Sequence, residues 1–123
     1  MQAKLILVAE KIEAGQNGQV SAHNLALDVM RPSFPATLDS LDLFTIWVRA
    51  EDEPAEQDFQ LIIQTSEGST PPERVPINFE DRREVVQGIS LDGFTLDKPG
   101  AYIFHFRQNN EHRGTWVLRA HQG

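Results

Sequence analysis

Apolar and polar residues alternate with a period of two along most of the chain. Ala3–Glu10 (AKLILVAE) is a nearly continuous apolar run with polar ends, the form of a buried strand. Gln19–Met30 alternates Leu25, Leu27 and Val29 against Asn24, Ala26 and Asp28. Leu43–Ala50 sets Phe44, Ile46 and Val48 against Leu43, Thr45, Trp47 and Arg49. Gln57–Thr65 sets Phe59, Leu61 and Ile63 against Gln60, Ile62 and Gln64. Shorter runs follow at Val75, Ile77 and Phe79, at Ile89 and Leu91, at Tyr102, Phe104 and Phe106, and at Trp116 and Leu118. Val, Ile, Thr and aromatic residues fill these segments, and Pro and Gly separate them. The pattern predicts an all-β, antiparallel β-sandwich of seven to nine strands with Greek-key connections and little helix.

The same alternation predicts a core of Leu7, Leu27, Phe44, Ile46, Val48, Leu61, Ile63, Phe104, Phe106 and Leu118, with Trp47 pointing outward. Only Asp81–Gln87 (DRREVVQ), ending at Gly88, suits a turn or two of helix. Pro76 confines its strand to an edge, because proline donates nothing to a ladder. Arg31–Asp42, with Pro32 and Pro35, is too long for a hairpin turn and suits a crossing between sheets, with Phe34 plugging one end of the core.

Two signatures stand out: Ser33-Phe34-Pro35-Ala36-Thr37-Leu38, and Asp97-Lys98-Pro99-Gly100-Ala101-Tyr102-Ile103-Phe104 leading into a C-terminal hairpin. With the apolar opening strand, they resemble a family of short bacterial proteins of unknown function, each a single immunoglobulin-like β-sandwich. The resemblance implies one such domain over residues 1–123 and brings no catalytic residues with it. Independently of any family, Gly100 permits a tight turn and Tyr102 opens a core strand, the setting of a tyrosine corner.

Composition mainly excludes. The 123 residues contain no cysteine, so disulfides, thiolate nucleophiles and cysteine metal sites are ruled out. A net charge of −7 argues against nucleic-acid and anionic-membrane partners. The five apolar residues Leu5–Ala9 are too few for an export signal or a membrane span, so the chain reads as cytoplasmic. No nucleophile elbow, phosphate loop, dinucleotide fingerprint or zinc-protease motif occurs, and the reading is non-enzymatic, with no cofactor and no catalytic or metal site. Glu51–Asp58 carries five carboxylates in eight residues, but it lacks the glycine and spacing of calcium loops and reads as a solvated loop.

A C-terminal hairpin with Phe104 opposite Leu118, Phe106 opposite Trp116 and Asn109–Arg113 as loop keeps both apolar sets on one face. His105 then faces outward opposite Val117, and His121 lies near Ala101, roughly 13 Å along the strand from His105 and too far for one metal ion. Residues 98–123 carry four basic and one acidic side chain, whereas residues 1–97 carry seven basic and seventeen acidic. The hairpin's outer face combines Ile103, His105, Arg107, Val117 and Arg119, joined by Trp47 and Arg49 if Leu43–Ala50 lies in the same sheet. Arginine and aromatic residues among aliphatics make an interface composition. The expected function is an interaction module that binds itself, as a dimer, or another protein through this face. The alternative is a small-ligand or carbohydrate binder with Trp47 as stacking platform.

Overall fold

A computed structural model of the chain describes all 123 residues and is an all-β sandwich. Its strands are β1 (Gln2–Ala14), β2 (Val20–Leu25), β3 (Asp28–Arg31), β4 (Ala36–Val48), β5 (Glu56–Thr65), β6 (Gly68–Ser69), β7 (Glu73–Asn78), β8 (Glu84–Leu96), β9 (Gly100–Gln108) and β10 (Glu111–Gln122). The first sheet has the order β2-β1-β4-β8; the second runs β3-β10-β9-β5, with β6 and β7 both pairing β5. All pairings are antiparallel except β3 with β10. No helix is long and apolar enough to cross a membrane.

Aromatic rings fill the space between the sheets. Trp47 stacks on Phe59 at 4.7 Å between centroids, and Phe59 meets Phe106 at 5.8 Å. Phe94 touches Phe104 at 5.8 Å and meets Tyr102 edge-on at 6.1 Å. Such pairs add attraction beyond the area they bury. Phe104, Phe106, Leu61 and Leu118 are buried as the alternation predicts, and Val75, Ile77 and Phe79 all face inward. Pro76 lies on β7, an edge strand paired only to β5. Phe34 packs against the core where the chain changes sheets.

Several expectations are corrected. Asp81–Gln87 is not helical: β8 begins at Glu84, and the branched Val85 and Val86 pair with Trp47 and Ile46. Gln19–Met30 is two strands in different sheets, parted at Ala26 and Leu27 after Asn24 takes a left-handed φ of 56°. The second crossing is shorter than expected, because β4 already starts at Ala36.

The largest correction concerns β4. Leu41, Leu43, Thr45 and Trp47 face the core, while Phe44, Ile46 and Val48 face out. The buried threonine that spoils the inward set is satisfied there: Thr45 donates to the Gln87 carbonyl at 2.8 Å and accepts from Trp47 Nε1 at 2.9 Å. A hydrogen-bonded hydroxyl is tolerated in a core, and the indole then contributes the largest fully buried side chain. A bulge between Ala3 and Leu5 likewise turns Leu7 outward. Leu27 is 50% exposed at the crossing, and Ile63 is half-buried.

The C-terminal hairpin is also tighter than expected. Asn109 and Asn110 both take positive φ, 51° and 65°, which closes a two-residue turn with the twist hairpins favour. The register is therefore shifted: Trp116 pairs with Phe104, Leu118 with Tyr102, Val117 with Ile103 and Thr115 with His105. An extra residue, Arg113, is absorbed as a bulge between His112 and Gly114. Because the shift is by two residues, every side chain keeps its expected face. Gly114 leaves room there for the end of the Ile6 side chain, whose Cδ1 would stand 2.5 Å from an added Cβ and would have to turn aside. Gly100 takes φ 139°, and Tyr102 Oη donates to the Lys98 carbonyl at 2.6 Å while accepting from the Lys98 N–H at 3.2 Å, closing the tyrosine corner.

Candidate interaction faces

The residues singled out from sequence do not form one surface. Trp47 and Arg49 belong to the end of β4, in the first sheet; Ile103, His105, Arg107, Val117 and Arg119 lie on β9 and β10, in the second. Trp47 is fully buried, so it neither joins an exposed patch nor offers a stacking surface. Arg49 is a clamp rather than a contact residue. Its guanidinium donates to the carbonyls of Arg82, Glu53 and Glu80 at 2.9, 2.9 and 3.1 Å and lies 5.6 Å from the centre of the Phe79 ring. One planar fork thereby ties the loop before β5 to the turn before β8.

The remaining five do share the outer face of the second sheet. Across the strands, Val117 pairs with Ile103 and then Gln64, Thr115 with His105 and then Ile62, and Arg107 with Gln60. His105 Nε2 is 2.7 Å from Gln64 Oε1, and partial burial, then the nearby Arg107 and His112, push its pKa below the usual histidine value. Arg119 stands opposite Ala101 and Asp28, and Asp28 bonds His121 at 2.8 Å. Aliphatic residues here are interrupted by polar ones in every row.

The outer face of the first sheet is different, and the alternation hid it by assigning its residues to the core. Two cross-strand rows are apolar throughout: Leu5–Ile46–Val86 and Leu7–Phe44–Gly88. Val48 extends them toward Glu84, and the row Ala9–Asp42–Ser90 bounds them on the other side. Leu5 is 39% and Val86 54% exposed, and Leu7, Phe44, Ile46 and Val48 are half-buried. The rim is charge-balanced: Lys4 pairs with Glu84 at 2.7 Å, and Lys11 with Glu13 at 2.7 Å. That pairing with Lys11, reinforced by His23, holds the Glu13 carboxyl below its usual pKa.

Two polar clusters lie elsewhere. The acidic run disperses its charge: Glu53 binds the Met1 ammonium, Glu51 meets Arg83 at 3.3 Å, and Asp58 meets Arg74 at 2.6 Å. A cleft of about 520 Å³ between the β1–β2 end and the start of β4 is lined by Glu10, Lys11, Glu13, His23, Asn24 and Asp39 among others. Its only apolar wall residue is Leu38, and Glu10 and Glu13 are already held by Asn24 at 3.0 Å and His23 at 3.2 Å.

Among solved structures, the chain is similar to part of a β-glucosidase from Listeria innocua. The complex with gluconolactone matches with TM-score 0.53 at 9% identity, over 98% of this chain and 16% of that one. The complex with glucose matches with TM-score 0.52 at 11% identity, over 97% and 16% respectively. Identity this low shows a shared fold alone, and the chain spans only that small share of the enzyme's length. No curated protein matches the sequence. The model of a family of unknown function, DUF6941, matches residues 4–121, and the chain belongs to that family.

Proposed function

We propose that the protein is a cytoplasmic, non-enzymatic interaction module that binds itself or a protein partner through one sheet face, and that this face is the outer surface of the first sheet. The observation that carries the reading is the pair of apolar rows Leu5–Ile46–Val86 and Leu7–Phe44–Gly88, exposed together inside a charge-balanced rim. A contiguous apolar patch rimmed by polar residues is the usual sign of a docking surface. The hairpin face, with Ile103, Val117, His105, Arg107 and Arg119, supports the same role less well, because polar side chains break its aliphatic cluster. Bonding of Tyr102 back to Lys98 supports an immunoglobulin-like reading of the sandwich. The carbohydrate alternative loses its premise with Trp47 in the core.

Site-specific photocrosslinking in cells tests the face. A photoreactive residue at Leu5 should give one discrete adduct, and the same probe at Thr115 on the hairpin face should give none. Equal adducts from both positions, or none from Leu5, would overturn the reading.

A further inference from the structure

We propose that β8 pairs antiparallel with β8 of a second copy, centred on Gln87, so that two first sheets join into one eight-stranded sheet. This goes beyond the face reading, since it uses the edge of the sheet and leaves the apolar rows uncovered.

Edge strands carry unpaired backbone donors and acceptors, and proteins normally shorten, interrupt or charge them. The other edges are managed in this way. β7 carries Pro76, β3 and β6 have four and two residues, and β2 has six, with Asn24 in a left-handed conformation. β8 pairs only with β4, yet it has 13 residues and contains neither proline nor lysine. It presents a long ladder with no interruption before Gly93.

Charge and facing select the occupant and the register. Paired residues must point to the same face, so an antiparallel self-pairing must set even-numbered residues opposite even and odd opposite odd. Centred on Gln87, the pairing sets Val85 opposite Ile89 on the inner face and Val86 opposite Gly88 on the outer. Glu84 then faces Ser90, and the turn before β8, which carries Arg82 two residues ahead of the strand, comes alongside Asp92 of the other copy. Neither Arg82 nor Asp92 has an ion-pair partner within its own chain. Centred on Gly88 instead, the pairing would oppose Glu84 and Asp92, two like charges; centred on Val86, it would bring the turn with Arg82 alongside Ser90, which carries no charge. One register satisfies both unpaired charges twice, by symmetry.

Sedimentation equilibrium over a concentration series, with charge reversals, tests the proposal on the full chain. The protein should dimerise. Arg82→Glu alone and Asp92→Arg alone should each raise the dimer dissociation constant by roughly tenfold, since two exposed pairs become repulsive. The double variant Arg82→Glu/Asp92→Arg should restore it. Register is read separately, because the chain has no cysteine. Opposed residues of an antiparallel pair stand about 4.5–5.5 Å apart between Cα atoms, within disulfide reach, so Gln87→Cys should form a covalent dimer on mild oxidation. Ser90→Cys should not, since its two copies would be about 20 Å apart. A monomer at every concentration, failure of the double variant to recover, or equal crosslinking at the two positions would each overturn the pairing. Leu5→Glu separates the two readings: it should leave this dimer intact, and loss of the dimer would put the second copy on the apolar face instead.

Discussion

The indole Nε1–H of Trp47 donates to Thr45 Oγ1 at 2.9 Å, two residues back on the same strand, and both side chains are fully buried. Thr45 in turn donates to the Gln87 carbonyl on β8 at 2.8 Å, so one hydroxyl satisfies an indole and a backbone oxygen. This short chain of bonds lets β4 turn its tryptophan inward and its aliphatic set, Phe44, Ile46 and Val48, out to form the apolar face.

Replacing Thr45 with valine keeps the volume but leaves the indole N–H without its acceptor in the core. The expected loss is about 1–3 kcal/mol, the cost of an unsatisfied buried polar group. Urea unfolding monitored by tryptophan fluorescence measures it. A loss below about 0.5 kcal/mol would show that the hydroxyl does not hold the strand's facing.

Fold class was legible in the sequence because period-two alternation and turn residues report strands directly. The sheet to which Leu43–Ala50 belongs was not, because alternation carries no information on partners, and the facing was misread because a threonine beside a tryptophan looks polar until its bonds are known. Leu7, Phe44, Ile46 and Val48 form one set in the alternation, but the pattern does not say that this set faces out. Nothing local marked Arg49 as a clamp, since the three carbonyls it binds come from positions 53, 80 and 82. On the hairpin, Asn109-Asn110 signals a two-residue turn, but that turn alone would set Phe104 opposite Thr115; the bulge at Arg113, which nothing in the sequence marks, brings Trp116 there instead.

Arg49→Lys should loosen the two loops that the guanidinium joins. A lysine cannot present donors to three carbonyls in the plane of a fork, and the expected cost is about 1–2 kcal/mol. Hydrogen exchange gives the sharper readout: the amides of Glu53, Phe79 and Arg82, which bond within or between these loops, should exchange faster while β9 stays protected. Unchanged exchange at all three would contradict the clamp.

Phe104→Ala and Phe44→Ala should differ sharply despite identical chemistry. Phe104 is fully buried against Phe94, and its truncation should cost about 3–5 kcal/mol through lost burial and a residual cavity. Phe44 loses only contacts with outward neighbours, so its truncation should cost less than about 1.5 kcal/mol. Denaturant unfolding of both variants, compared at equal ionic strength, decides whether the inward and outward sets are assigned correctly.

Stability should fall in acid partly through Glu53. Its carboxylate accepts from the Met1 ammonium and, at 2.7 Å, from the backbone N–H of Ala50. The ammonium bond first and the Ala50 bond second hold its pKa below the ordinary 4.5. A carboxyl depressed in the folded state contributes stability above its unfolded pKa, and that contribution is lost as the pH falls through the lower folded value. Glu53→Gln removes the charge at every pH. The stability gap between the natural protein and this variant should therefore be full at pH 7, begin to close near pH 4.5, and vanish in stronger acid. An N-terminal extension should mimic the variant at pH 7, because it converts the ammonium into an amide and separates the charges. Thermal unfolding from pH 7 down to pH 3 measures both, and a gap that stays constant across that range would remove the ion pair from the account of stability.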